Sequence, residues 1–492
     1  MTHKIPMKDM VVILPGILGS VLKKDGKDLW VVSGQAIWQV LTNSKEAIQH
    51  LKLAQDDPEA ESLGDGIRAT RLIEDAHLIP GLVKIDGYTK VTRLITDNFD
   101  VTSGNIYDDP DDKAANFYHF PYDWRRDCRA SAHLFKKLVD KRLKCWREAS
   151  GAQDAKVILF AHSMGGLVSR YYLEVLAGWR DCRALFTFGT PYRGSVQAVN
   201  FLANGYKELF LDLTELMRSL TSIYQLLPIY EMIDIGGEYK RIAEIDNLPN
   251  IVQKRVQNAL AFHREIEAAV GANLNNEVYK TSFTTVPIAG IQQPTLQSAQ
   301  LLNGKLTASE QLPKILQNRP DLSDGDGTVP QVSAIPIELS SSFNNTFIAE
   351  SHGSLQNQKQ VLEDLRNRLE LSQFDLATVR ASQTAISLTL EDVYLPDEAI
   401  AMRARVISTP GLVTGKLKAE ITSVSDERPA IHVDFEEREQ EWVLAIDNLQ
   451  PGLYRVTVQT ENSSDQAPTP VHDLFKVVNQ YFGQFLVRSL EP

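Results

Sequence analysis

The chain has 492 residues, 43% of them hydrophobic and 23% charged, with a formal net charge of −12. That supplies a large core and enough length for two or more domains. The negative balance argues against nucleic acid and anionic membranes as electrostatic partners; neutral lipid surfaces, bound through apolar contact, stay open.

Three cysteines, Cys128, Cys145 and Cys182, are too few and too odd in number for a disulfide framework, and none has a metal-ligand spacing. Reduced thiols and a cytoplasmic setting are expected, with no metal or cofactor. Residues 11–14, Val-Val-Ile-Leu, read as a central strand, and Pro15-Gly16-Ile17-Leu18-Gly19-Ser20 as the loop after it. Lys4 and Lys8 ahead of this run imitate a secretory leader, but Pro15 and two glycines interrupt it. No apolar run approaches the ~18 residues of a membrane span.

Residues 86–95 read as an amphipathic helix, 108–112 as an acid-rich loop, 117–120 as a strand and 130–148 as a helix. The run Val157-Ile158-Leu159 then leads into Phe160-Ala161-His162-Ser163-Met164-Gly165-Gly166. A buried strand, a serine between small residues and a helix start form the pattern of a nucleophile elbow. The turn is so sharp that the residues two before and two after the serine must be small, and here they are Ala161 and Gly165.

A further strand at 184–188 continues the strand–helix alternation of a parallel sheet covered on both faces. Between about 196 and 279 the rhythm breaks into helical patterns, with Val252, Val256, Ala259, Leu260 and His263 on one face. This stretch is too long for an ordinary connection and predicts a cap over the active site. The sheet resumes at 286–290. Beyond about 371, short strands at 385–390, 401–406, 442–446 and 454–458 alternate with Pro-, Gly- and Asp-rich turns, as in a β-sandwich. Leu449 to Tyr454 resembles a tyrosine-corner strand entry. Nothing in this part suggests chemistry, so it reads as an interaction or packing module.

The predicted architecture is therefore α/β: an α/β-hydrolase fold with a helical cap insertion over residues 1–372 (cap about 196–279). An all-β immunoglobulin-like or fibronectin-like sandwich follows over 380–492. Such a hydrolase needs Ser, then Asp or Glu, then His along the chain. Of ten histidines, six precede Ser163, His263 lies in a helical stretch, and His432 and His472 fall in the sandwich. His352, after a short apolar strand, is left as the base. The acid is Asp324 or Asp326 in the glycine-punctuated loop Asp324-Gly325-Asp326-Gly327-Thr328-Val329-Pro330, which also admits a calcium loop or a plain turn. No glutamate closes that loop in the EF-hand position. The backbones of Leu18 and Met164 are the expected oxyanion hole.

Five segments resemble the lecithin:cholesterol acyltransferase family, which includes lysosomal phospholipase A2 and phospholipid:diacylglycerol acyltransferases. They are Leu14 to Ser20, Pro121-Tyr122-Asp123-Trp124-Arg125, Ala161 to Gly166, Gly189-Thr190-Pro191-Tyr192-Arg193-Gly194-Ser195 and Gly325 to Pro330. The resemblance implies Asp326 as the acid and agrees with His352; it also makes Tyr224 to Pro228 a cap segment. Secreted members carry a lid disulfide, yet residues 29–95 hold no cysteine, so a lid here is held by packing alone. Arg125 is expected to pair with a buried carboxylate rather than a phosphate headgroup, with Trp124 packed under the loop.

The expected function is serine-dependent hydrolysis or O-acyl transfer of phospholipid or neutral lipid esters through an acyl-serine. Transient contact with a membrane surface, and a protein partner for the sandwich, are compatible with it. The competing reading is an inactive hydrolase-fold binding or scaffold protein that works through the sandwich.

Overall fold

The computed structural model describes residues 4–30, 45–73, 77–79, 83–110, 112–208, 211–339, 346–370, 385–395, 398–407, 416–424, 428–438, 441–447, 449–461, 468 and 470–478. The sequence-level domain boundary at 372–380 lies outside these residues, as do part of the 29–95 stretch in which a lid was expected and residues 479–492.

The main sheet has seven parallel strands in the spatial order Thr346–Ile348, Thr284–Gly290, Cys182–Phe188, Val157–His162, Met10–Leu14, Phe117–His119 and Ser103–Asn105. All residues of Met10–Leu14 and Val157–His162 are buried, as expected for strands covered on both faces. Side-chain alternation divides the core. Val12, Leu14 and Leu159 pack with Phe135, Val139 and Leu143 of the helix Cys128–Ser150. Val11, Ile13, Ile158 and Phe160 face the other way, against Val91 and Ile95 of the helix Thr89–Asn98 and Leu365 of Lys359–Glu370. Asp127 caps the Cys128–Ser150 helix through the Arg129 N–H, and Gly151 ends it at φ 74°.

The helix expected at 86–95 begins later, at Thr89, leaving Asp86, Gly87 and Tyr88 as a loop. In the cap region, helices Val196–Asn204, Thr214–Ser219, Thr221–Gln225, Gln253–Asn273 and Glu277–Ser282 carry a small antiparallel pair, Ile233–Ile235 with Glu238–Lys240. That pair joins the hairpin Ser298–Leu302/Lys305–Ser309, which the sequence did not announce. On Gln253–Asn273 the buried stripe is Val256, Ala259, Phe262, His263, Ile266 and Val270. Val252, counted in the expected stripe, is 53% exposed, because it precedes the helix as its cap residue.

The C-terminal part is a sandwich. One sheet has the order Ala385–Leu390, Ile400–Ile407, Glu441–Ile446, Glu436–Arg438; the other Val393–Tyr394, Val471–Val477, Gly452–Thr460, Leu417–Ser423, Ile431–Asp434. Ile386, Met402, Leu444, Val456 and Phe475 fill the space between them. Tyr454 donates its hydroxyl to the Gln450 carbonyl at 2.6 Å, the expected tyrosine corner. Among the described residues no helix is long and apolar enough to cross a membrane.

Candidate active site

The candidate residues gather at the C-terminal edge of the parallel sheet, where loops leave the strand ends. Ser163 follows Val157–His162 at φ 51° and ψ −124°, a strained conformation for a residue with a side chain, and the helix Met164–Arg170 starts immediately after it. The close approach expected around this turn falls on Gly165. A Cβ there would sit 3.0 Å from the Leu14 carbonyl oxygen and nearer still to that of Pro15. The size limit after the serine is thus set by the end of the neighbouring strand.

His352 stands with Nε2 2.9 Å from Ser163 Oγ and Nδ1 2.7 Å from Asp326 Oδ2. Asp326 is buried, and its other oxygen accepts from the Thr328 N–H at 2.9 Å and the Val329 N–H at 2.7 Å. With Oδ2 accepting from Nδ1–H, Nε2 is left as an acceptor toward the serine hydroxyl. Asp326 is therefore committed to backbone and imidazole, which leaves its carboxylate no part in a calcium loop. Asp324 turns away. It sits half-buried at φ 63°, with its carboxyl pKa raised by burial and by Glu310 and lowered in turn by Arg405. Gly189, at φ 57°, faces the Asp–His pair: a Cβ there would lie 2.7 Å from Asp326 Oδ2 and 2.8 Å from His352 Nδ1.

Leu18 adopts φ 62° in the loop after Met10–Leu14, and its carbonyl accepts from Trp30 Nε1 at 3.2 Å. That bond fixes the peptide on the C-terminal side of Leu18, and the Leu18 amide has no hydrogen-bond partner among the described residues. Met164, as the first helical residue, has a free N–H by construction. Of the two residues expected to form the oxyanion hole, Leu18 lines the same cleft as Ser163 and Met164 directly follows it.

Sequence reasoning set His162 aside, yet it ties the site together. Its Nε2 lies 3.1 Å from the His352 carbonyl oxygen and its Nδ1 3.0 Å from the Tyr88 hydroxyl, which accepts from the Gly16 N–H at 2.9 Å. Burial, reinforced by the neighbouring His352, pushes its pKa down to about 3, so the ring is neutral. It then donates from Nε2 and accepts at Nδ1, giving one directed chain from Gly16 to His352. A histidine adjoining the nucleophile was the available signal; Tyr88, remote in sequence, offered none.

Arg125 is fully buried and pairs with Asp123 at 2.6 Å and Asp65 at 2.9 Å. Trp124 donates to the Ser20 carbonyl at 3.0 Å and meets Trp30 edge-on. Neither is among the residues that line the cleft at Ser163.

A cleft opens on Ser163 and His352. Ile17, Phe201, Met217, Ile223, Leu226 and Val329 make it apolar, and among the described residues no Lys, Arg, Asp or Glu lines it. Leu226 of the expected cap segment reaches the cleft; Leu227 is buried, with its carbonyl packed against Gly194. The described residues hold no cluster of three or more His, Cys, Asp or Glu able to bind a metal ion.

The family described as lecithin:cholesterol acyltransferase matches residues 111–318, a span that contains Ser163 and stops before Asp326 and His352. The resemblance read from the sequence motifs is thereby borne out. No curated protein matches the chain. Among solved structures, the lipase BlEst2 of Bacillus licheniformis in its propeptide form is 11% identical, with 96% of this chain and 94% of that chain covered and a TM-score of 0.32. Its mature form is 12% identical, with coverages of 76% and 95% and a TM-score of 0.33. The CARDB domain of PF1109 from Pyrococcus furiosus is 13% identical and covers 21% of this chain and 99% of its own, at a TM-score of 0.16.

Proposed function

We propose that this protein cleaves or transfers lipid esters through a covalent acyl-serine. Ser163 is the nucleophile, His352 the general base and acid, and Asp326 the residue that orients and stabilises the imidazolium. The single observation that carries the reading is the continuous Ser163–His352–Asp326 hydrogen-bond line opening on a cleft whose described walls carry no charged residue.

Ser163 Oγ attacks the ester carbonyl as His352 Nε2 takes its proton, and the Leu18 and Met164 N–H groups receive the oxyanion. The intermediate collapses, the alcohol leaves with the proton from His352, and the acyl group stays on Ser163. Water or a second alcohol then repeats the sequence in reverse, giving hydrolysis or acyl transfer. The apolar lining suits an aliphatic acyl chain, whose burial contributes about 0.8 kcal/mol per methylene. The phospholipase reading places any charged headgroup outside the cleft.

A fluorophosphonate probe with a nitrophenyl ester assay tests this. Ser163→Ala is expected to abolish labelling and lower kcat by about 10⁴-fold or more. Near-normal ester cleavage by that variant would refute the assignment, and a wild-type chain that neither labels nor cleaves would favour the scaffold reading.

A further inference from the structure

The sandwich meets the hydrolase part at three polar anchor points, and each lies directly behind a loop of the candidate site. The first is Gln293, 4% exposed, whose side chain donates to the Ile386 carbonyl at 3.3 Å and accepts from the Leu388 N–H at 3.2 Å, on the sandwich strand Ala385–Leu390. The backbone of Gln293 pairs with Gly325 in both directions, at 2.9 and 3.2 Å, so this anchor reaches the residue before Asp326.

The second anchor is Glu350, fully buried and two residues before His352. Its carboxylate accepts from the His472 N–H at 2.9 Å, from His472 Nδ1 at 2.6 Å and from the Ser351 N–H at 2.9 Å. Ser351 returns a hydrogen bond from its hydroxyl to the His472 carbonyl. The third is the ion pair of Arg455 with Asp86. The Asp86 N–H donates to the Gly353 carbonyl at 2.9 Å, and Asn357 donates to the Asp86 carbonyl at 2.6 Å. Residues on both sides of His352 are therefore held from the sandwich.

A packing module that merely rested on the hydrolase would meet it through surface side chains. Here a carboxylate with no exposure, on the loop of the base, is satisfied by a sandwich histidine. Removing the His472 ring leaves a buried charge short of its side-chain donor, and the cheapest relief is movement of the 350–353 loop toward water. We propose that the C-terminal sandwich is a positioning domain for the acid and base loops, with His472 as the positioning residue that, through Glu350 and Ser351, sets where His352 presents Nε2. This rests on Ser163, His352 and Asp326 acting as the triad. Burial pulls the His472 pKa down, but the charge and hydrogen bond of Glu350 outweigh it and Asp86 adds to them against Lys90, so the net direction is up. A protonated ring opposite a carboxylate is the stronger tie.

The test uses the full chain with His472→Ala, His472→Gln, Ser351→Ala and, in parallel, Ser163→Ala. Readouts are kcat, KM, the rate of fluorophosphonate labelling and the melting temperature. His472→Ala is expected to lower kcat and the labelling rate together by about 10- to 100-fold, as a displaced base does, with KM within about twofold. His472→Gln, which keeps an N–H donor for Glu350, should recover most of the loss. A purely structural role predicts a lower melting temperature with kcat of the folded fraction unchanged, and that result overturns the proposal. If His472→Ala does not fold, Ser351→Ala and His472→Gln carry the test: wild-type kcat and labelling in a folded Ser351→Ala chain would also overturn it. Activity surviving in Ser163→Ala instead removes the triad reading beneath it.

Discussion

Replacing Asp326 by Asn removes one charge while keeping the shape, and the surrounding donors dictate how the new side chain sits. Thr328 and Val329 point their N–H groups at Oδ1 from 2.9 and 2.7 Å. Only the amide oxygen of an asparagine can meet them. The flipped amide would set NH₂ against two N–H donors and forfeit hydrogen bonds worth about 1–3 kcal/mol each. The NH₂ is thus locked toward His352 Nδ1, which must become an acceptor and carry the ring proton on Nε2. That proton then lies between Nε2 and Ser163 Oγ, 2.9 Å apart, where the base has to be empty. A wrong tautomer costs about 10⁴ in kcat, or about 5.5 kcal/mol. The assay is kcat on a nitrophenyl ester at neutral pH, with the melting temperature as a folding control. Asp324→Asn should stay within about threefold, because its carboxyl has Glu310 and Arg405 as charged neighbours and His352 is bonded elsewhere. An Asp326→Asn enzyme within tenfold of wild type, or an equal loss in Asp324→Asn, would refute the reasoning.

Gly165→Ala should leave a folded chain destabilised by about 1–3 kcal/mol and at least about 100-fold slower, since its methyl meets the fixed Leu14 and Pro15 carbonyls and pushes the Leu18 loop off the serine. Melting temperature and kcat measured together check it, and kcat within threefold of wild type would count against the close approach. Acid should destabilise the chain steeply: burial, before any other cause, lowers the pKa of His162 to about 3 and of His263 and His119 to about 4, from 6.5. The folded values lie below the unfolded one, so this stability is complete above about pH 6.5 and is lost as pH falls toward the folded values. Three protons give a slope of about 4 kcal/mol per pH unit in that window, and a melting temperature flat from pH 7 to 5 would contradict it.

What the sequence disclosed were features fixed by short-range sterics. The serine turn and the loop after the first strand are each set within a few residues, whereas the small size of Gly165 answers to the Leu14 and Pro15 carbonyls of the neighbouring strand end. His352 emerged because every other histidine sat in the wrong place along the chain. The choice between Asp324 and Asp326 was not local: it depends on Gln293 and Gly325 pairing across the loop, contacts set by tertiary docking. The hairpin Ser298–Leu302/Lys305–Ser309 escaped notice because it lies mostly on the surface and lacks a continuous apolar face, with Leu302 itself 62% exposed. Glu350 looked like an ordinary loop acid, since its partner lies 122 residues away.

The place of the His352 loop in the sheet bears on why the sandwich stands beside the site. The loop carrying His352 has little sheet behind it, because Thr346–Ile348 is a short edge strand of the described sheet. An edge strand has unpaired backbone on one side and little to stiffen the turn after it. The neighbouring Ser163 turn needs no such help, held between central strands and bonded to the Phe188 carbonyl at 2.8 Å. A loop on an edge must take its rigidity from beyond its own strand. His162 supplies it from within, through the His352 carbonyl, while Glu350–His472 and Asp86–Arg455 supply it from the sandwich. Positioning to within about half an ångström is what the proposed proton transfer to His352 demands, and the polar anchors fall where the edge strand leaves that demand unmet.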